Sequence, residues 1–294
     1  MGNETNILGI KLDPLTLPEA LGRADGLISA PHFTYIVTPN PEFALQAQKD
    51  PSFRAWVNGA DLSLVDGVGL IWASYFQNIR WPRSKLGRFL LALLWLPLSG
   101  LVVIFAPKKI TKIIPERLSG SDVLIELIKL AAQKGYKIFL LGGGEGVARE
   151  ASTYLRFLYP NLQVAGMLAG PPFQSEEFTL NTLKGAKPEI VFLALPQEKQ
   201  MEWTKKVKEV LPRSCVMGIG GALDFIVGAS ALQDPTGKYK AVRAPYLMRQ
   251  RGLEWLWRLV RQPWRSRRIF QAVVRFTGEV VKEVVSRQPI ANDR

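Results

Sequence analysis

Three short apolar runs, Ile138-Phe139-Leu140-Leu141, Ile190-Val191-Phe192-Leu193-Ala194-Leu195 and Val216-Met217-Gly218-Ile219, stop at Gly142, Pro196 and Gly220. Segments of helical period over 121–133, 147–158, 175–184 and 200–210 alternate with them, and a further strand is expected over 163–166. Runs that are apolar at every position, not at every second one, read as strands buried on both faces. Strands alternating with helices in this way specify an α/β fold, a parallel sheet with helices on both of its faces. The first 80 residues continue the pattern. Tyr35-Ile36-Val37 ends at Thr38-Pro39-Asn40-Pro41-Glu42, and Leu62-Ser63-Leu64-Val65 ends at Asp66-Gly67-Val68-Gly69. Helices are expected over 17–28 and 42–57, the latter entered through Pro41, with another beginning at Val68.

In open α/β sheets ligands bind beyond the carboxyl ends of the strands. Two strands therefore deliver Thr38, Asn40 and Asp66 to the place where such a protein does chemistry. Plain turn chemistry accounts for Asn40-Pro41 and Asp66-Gly67 equally well. Asp66 is a carboxylate suited to act as a general base on a sugar hydroxyl. Arg117, in Pro115-Glu116-Arg117-Leu118-Ser119-Gly120, is suited to steady a diphosphate leaving group. Gly142-Gly143-Gly144-Glu145-Gly146 follows a strand and opens a helix, which is the geometry of a phosphate cradle. A tight turn with close helix–sheet packing is the alternative. The spacing is not that of a dinucleotide fingerprint, and no acidic residue ends the next strand, which disfavours an oxidoreductase. No Asp-x-Asp pair is present to hold a divalent metal with nucleotide phosphates, so positive charge must come from Arg, Lys or helix dipoles.

Charge supplies it. The formal net charge is +13 and the isoelectric point about 9.9, a balance that fits an anionic partner: nucleic acid, acidic lipid or a phosphorylated substrate. The only cysteine is Cys215, which excludes an intrachain disulfide and a thiolate metal cluster. The only histidine, His32, lies in a proline-rich approach to a strand and is read as structural. The first residues lack the basic and apolar regions of an export signal, so a cytoplasmic location is expected.

Residues 89–106 carry no charge. Pro97, Ser99 and Gly100 interrupt the run, and basic residues flank both ends: Arg80, Arg83, Lys85 and Arg88 before, Lys108, Lys109 and Lys112 after. Positive charge marks the cytoplasmic side of a bilayer, so positive charge at both ends argues against a simple crossing. It favours a broken hairpin dipping into one leaflet or two short interfacial helices, with Phe89, Trp95, Leu101 and Phe105 as membrane residues. A helical hairpin inside the core is the alternative. From residue 241 the chain turns rich in Arg and Trp, including Arg243, Arg258, Arg265 and Arg268 with Trp255, Trp257 and Trp264. Such a segment suits an anionic membrane surface, a nucleic acid or a docked helix with a solvated basic face.

Taken in order, these pieces resemble one family. The resemblance runs through Thr38-Pro39-Asn40, Ala60-Asp61-Leu62, Asp66-Gly67-Val68-Gly69, Glu116-Arg117 and Gly120-Ser121-Asp122. It continues through Leu141-Gly142-Gly143, Gly146-Val147-Ala148, Tyr159-Pro160, Gly166, Gly170, Phe173, Gly220-Gly221, Asp224-Phe225 and Gly228. It closes with Arg243-Ala244-Pro245, Gly252-Leu253-Glu254-Trp255, Arg258, Pro263, Arg265 and Arg268. The family is that of the bacterial cell-envelope glycosyltransferases of the WecG/TagA/CpsF type. It includes the wall-teichoic-acid N-acetylmannosaminyltransferase and the enterobacterial-common-antigen N-acetylmannosaminuronic acid transferase.

The resemblance implies a Rossmann-like sheet and metal-independent, inverting transfer of a sugar from a UDP donor. The acceptor it implies is a polyprenyl-diphosphate-linked sugar at the cytoplasmic face of the inner membrane, in cell-envelope or exopolysaccharide synthesis. It implies Asp66 as base, with Arg117 beside it, and Thr38, Asn40, Gly67, Asp122, Gly142, Gly143, Gly221, Asp224, Arg243 and Arg258 along the substrates. Arg265 and Arg268 would hold the membrane. No metal, cofactor or nucleic acid is expected, and a homo-oligomer is left open.

Two departures stand out. The family usually has Gly-x-Pro-Lys-Gln-Glu where this chain reads Ala194-Leu195-Pro196-Gln197-Glu198-Lys199-Gln200. The apolar insert between Asp66 and Arg117 is absent from compact members. The expected organisation is an N-terminal α/β part (1–80), a membrane-associating insert (81–112), a nucleotide-sugar-binding part (113–240) and a basic helical appendage (241–294). A non-catalytic or regulatory membrane protein on the same fold, or a basic nucleic-acid binder, are the competing readings.

Overall fold

The computed structural model describes residues 5–170, 173–230, 244, 245, 248, 251, 253–261, 263 and 266–287. At 229, 230, 258, 261, 268 and 269 the description is of backbone alone. Six strands form one parallel sheet: β3 (Thr34–Val37), β4 (Leu62–Ser63), β5 (Lys137–Gly142), β6 (Gln163–Leu168), β7 (Ile190–Ala194) and β8 (Cys215–Gly218). Their spatial order is β4-β3-β8-β7-β5-β6, so the strands of residues 1–80 and those of residues 113–240 share one sheet.

Side chains alternate across the sheet, and both faces are apolar. Ile36, Leu62, Ile138, Leu140, Ile190, Phe192 and Met217 face one way. There they meet α1 (Leu17–Ile28), α7 (Gly120–Lys134), α8 (Val147–Leu158) and α11 (Ala222–Ser230). Phe139, Leu141, Val191, Leu193 and Val216 face the other way, onto Leu183 of α9 (Glu176–Ala186) and Trp203 and Val207 of α10 (Gln197–Val210). Val37 and Val65 share that second side with α2 (Pro41–Lys49), α3 (Pro51–Asn58) and α4 (Val68–Gln77). This two-sided burial is why the strands read as unbroken apolar runs.

Three local expectations are corrected. One helix over 42–57 is in fact two: Asp50 adopts an extended backbone and caps α3 by accepting from Ser52 N and Phe53 N, and Pro51 takes the first helical position. The helix expected from residue 200 begins at Gln197, directly after Pro196. The broken hairpin expected over 89–106 is a single continuous helix, α5 (Lys85–Phe105), with Pro97 inside it. Proline removes one backbone donor. A full break among apolar neighbours would strand several donors and acceptors at once, so the helix continues. The turn residues of this segment mislead for that reason.

One element was not anticipated. β1 (Thr5–Ile7) and β2 (Ile10–Leu12) form a hairpin through Leu8 and Gly9, both at positive φ (53° and 83°). The hairpin continues into Asp13, which bridges Leu64 and covers the β4 edge of the sheet. At the other end of the chain, a helix over Phe276–Ser286 buries Phe276, Val280 and Val284 against α2, α4 and α5. Arg88, expected among the basic flanks of the insert, is instead buried: its Nε donates to Val285 O at 3.2 Å and its Nη1 to Arg83 O at 3.0 Å. It ties α5 to this last helix.

Gly142 closes β5 at φ +113°, and a Cβ there would lie 2.4 Å from the Ala194 carbonyl oxygen. Gly142→Ala is therefore expected to destabilise the fold by about 3 kcal/mol. Cys215 reports the loss, because burial pushes its thiol up to about 12 and hides it. Thiol labelling should run roughly 100-fold faster in the variant. Wild-type labelling and melting would contradict the packing role.

Candidate active site

The chain leaves β3 toward α2 on one face and leaves the neighbouring β8 toward α11 on the other, and a crevice opens between their carboxyl ends. A cavity of ≈ 1320 Å³ occupies it, lined by the ends of β3, β4, β7 and β8. Backbone hydrogen bonds stitch its rim together. Asp66 N donates to Pro39 O at 2.8 Å, and Leu118 N donates to Val65 O at 2.8 Å. The Thr38 hydroxyl is buried and donates to Gly218 O at 3.1 Å. The loops carrying Thr38, Asp66, Arg117 and Gly220 thus form one unit, although they come from distant parts of the chain.

Five helices begin at this cavity. The first turns of α2 (Pro41, Glu42), α4 (Val68, Gly69), α7 (Gly120, Ser121), α10 (Gln197, Glu198) and α11 (Ala222, Asp224) all line it. Each helix start carries roughly half a positive charge. Asp66 lies one residue before the N-cap of α4, Gly67, which has no side-chain cap.

Arg117 reaches the cavity from the loop before α7. Its Nη1 donates to Glu254 Oε2 at 2.8 Å, with the two side chains 18% and 24% exposed. This ion pair ties the segment Leu253-Glu254-Trp255, which also lines the cavity, across the crevice. The wall facing these polar groups is apolar: Trp72 of α4, Leu96, Pro97, Gly100, Leu101 and Ile104 of α5, and Val273 and Phe276 near the end of the chain. Trp72 Nε1 donates to Ser99 Oγ at 2.9 Å, which fixes α5 against the helix that starts beside Asp66.

A model of the glycosyl transferase WecG/TagA/CpsF family matches residues 5–94 and 83–289. The chain belongs to that family. It is a glycosyltransferase, and the two matched stretches meet at the start of α5, where the apolar insert lies. Curated relatives share the name N-acetylglucosaminyldiphosphoundecaprenol N-acetyl-beta-D-mannosaminyltransferase. The protein of Bacillus subtilis is 26% identical over 248 residues, covering 84% of this chain and 79% of the relative. That of Bacillus spizizenii is 25% identical over 255 residues (87% and 82%), and that of Staphylococcus aureus 24% over 257 residues (87% and 84%).

For a WecG/TagA/CpsF glycosyltransferase, the expected site residues fall into three groups. Thr38, Asn40, Asp66, Gly67, Arg117, Gly221 and Asp224 line the one cavity. Asn40 has a second duty, since its Oδ1 caps α2 by accepting from Glu42 N and Phe43 N. Asp122, Gly142 and Gly143 lie outside the lining. The Ser119 hydroxyl donates to Asp122 at 2.5 Å within the start of α7, and Gly143 N donates to Ala194 O at 2.9 Å. Gly142 and Gly143 thus pack closely against the end of β7 and the start of α8. Arg243 and Arg265 lie outside the described residues, as do the side chains of Arg258 and Arg268.

Of the membrane residues, Phe89, Leu101 and Phe105 are 51%, 51% and 79% exposed, whereas Trp95 packs half-buried against the core. His32 is exposed and away from the cavity lining. In the departing Pro196 segment, Gln197 lines the cavity at the start of α10. Gln200 is buried, and its Nε2 donates to Leu195 O at 2.8 Å. Sequence reasoning missed Trp72, Gln197, Glu254 and the α5 wall. Only Gln197, directly after a proline-terminated strand, carried a local signal.

Proposed function

We propose that this cavity transfers a sugar resembling N-acetylmannosamine from a UDP donor to a polyprenyl-diphosphate-linked sugar, in cell-envelope polysaccharide synthesis. The observation that carries the reading is the meeting of five helix starts and Arg117 with the Asp66 carboxylate at a single crevice. The names of the relatives supply the acceptor class and the sugar. Asp66 takes the proton of the acceptor hydroxyl, whose oxygen forms a bond to C1 of the donor sugar from the side opposite the leaving group. The C1–O bond to UDP breaks, UDP keeps the electron pair, and the configuration at C1 inverts. Arg117 and the helix starts stabilise the charge growing on the departing diphosphate.

The test is transfer by the purified full chain from radiolabelled UDP-N-acetylmannosamine to a polyprenyl-diphosphate-N-acetylglucosamine, beside UDP-N-acetylglucosamine and UDP-glucose, with and without EDTA. Labelled lipid from the first donor, unchanged by chelation, is the expected result. Transfer from no donor, or transfer abolished by chelation, would contradict it.

The same reading includes the cytoplasmic face of the membrane. α5 exposes Leu86, Phe89, Leu90, Leu93, Leu94, Leu98, Leu101 and Phe105. Exposed Arg80 and Arg83 stand before it, exposed Lys85 opens it, and exposed Lys108, Lys109 and Lys112 follow it. Its length of 21 residues is enough to cross a bilayer, but Arg88, Ala92 and Ser99 are buried against the rest of the fold along that length. A helix held on one side and basic at both ends lies along an anionic surface. Replacing Leu90 and Leu94 with Asp together should lower binding to anionic vesicles roughly 100-fold, at about 1.5 kcal/mol per leucine. Flotation measures it, and unchanged binding would remove α5 from the membrane contact.

A further inference from the structure

α5 has a third arc besides the one packed on the core and the one turned to solvent. Leu96, Pro97, Gly100, Leu101 and Ile104 line the cavity that also holds Asp66 and Arg117. Leu101 belongs to two arcs at once, since it is 51% exposed and lines the cavity. An apolar surface therefore runs without interruption from the outer face of α5 to the polar end of the crevice. Trp72 and Val273 continue this apolar lining. At Gly100 the lane is open: a Cβ there would meet nothing within 4 Å. The hydrogen bond from Trp72 to Ser99 holds the lane in register with α4, which starts at the Asp66 loop.

We propose that this lane along α5, centred on Gly100, seats the first isoprenoid units of the lipid acceptor. The inference rests on the reading of the acceptor as a prenyl-diphosphate-linked sugar. A reacting hydroxyl attached to a membrane lipid must reach Asp66 inside the protein. The units next to the diphosphate must leave the bilayer for that to happen, and an exposed path would put their apolar surface in water. Lipid tails are as apolar as leucine, so passing from bilayer to the α5 wall changes little in affinity. The lane then acts by orientation and path: prenyl chain against α5, diphosphate at the helix starts and Arg117, sugar hydroxyl at Asp66.

Gly100→Trp tests the lane, because a Cβ at Gly100 meets nothing within 4 Å and the indole would extend into the lane. Two acceptors are compared, an undecaprenyl-diphosphate-linked N-acetylglucosamine and a methyl-diphosphate-linked one that carries no isoprenoid unit. The variant should lose at least tenfold in kcat/KM for the long acceptor, mainly through KM, and stay within about twofold for the short one. Equal loss on both acceptors, or loss on neither, overturns the proposal.

A second measurement needs no sugar donor. A benzophenone-tagged undecaprenyl diphosphate is photo-crosslinked to the full chain in nanodiscs, with a benzophenone-tagged phospholipid in a parallel sample. Adducts of the prenyl probe on residues 96–104 that are lost in Gly100→Trp support the lane. Adducts only elsewhere, or equal labelling there by the phospholipid, overturn it. If the wild type transfers no sugar while the crosslinks form, the reading of the reaction fails and the lane as a prenyl seat stands.

Discussion

Asp66→Asn should lower sugar transfer by roughly 10²–10⁴-fold, the usual contribution of a positioned general base. The substitution keeps the shape of the side chain. It also keeps the backbone bond from residue 66 to Pro39 O at 2.8 Å that joins the two strand-end loops. Folding and UDP binding should therefore match the wild type, and the loss should lie in kcat. An amide cannot accept the hydroxyl proton, so the loss should persist at every substrate concentration. Measured kcat and a UDP titration on the same preparation separate these terms. A variant retaining more than a tenth of wild-type kcat would exclude Asp66 as the base. A variant that no longer binds UDP would mean that Asp66 shapes the donor pocket instead.

Arg117→Ala should cost roughly 10²–10³-fold in kcat, the range for removing one group that stabilises charge in the transition state. The substitution also removes the 2.8 Å ion pair to Glu254, so the tie across the crevice is lost with it. Glu254→Gln separates the two effects, since it weakens the tie and keeps the guanidinium. Its loss should be less than tenfold. Arg117→Lys should recover part of the rate, because the charge returns without the planar fork that grips two phosphate oxygens. Equal losses in Arg117→Ala and Glu254→Gln would assign Arg117 to holding the C-terminal segment and not to the leaving group.

The sheet was legible because burial on both faces forces apolar residues at every strand position, and no other common element does so at that length. Thr38, Asp66 and Gly221 came together for the same reason: parallel strands all end on one side, so residues just past them share a site. What remained hidden depends on contacts between distant residues. Arg117 and Glu254 are 137 positions apart, and Gln77 bonds Glu283 across 206 positions. Neither pair leaves a local trace.

Arg88 read as a membrane-facing cation because its neighbours are basic, whereas two backbone carbonyls hold it inside. The glycines after β5 fit phosphate binding and close packing equally as a string. At Gly142 a Cβ would lie 2.4 Å from the Ala194 carbonyl oxygen, a packing demand that the string does not display. The insert misled in one respect. Pro97, Ser99 and Gly100 are turn formers in water, but beside the core the Ser99 hydroxyl donates to Leu96 O and receives Trp72, and the helix runs on.

The central claim is a single displacement at C1 with Asp66 as base, and the anomeric configuration of the product tests it most directly. Product made by the wild type from the α-linked UDP-sugar is analysed by NMR for the C1 coupling of the transferred residue. The account predicts a β linkage, inverted relative to the donor. An α linkage would contradict it, because retention requires a covalent or front-side step in which Asp66 does not act as the base.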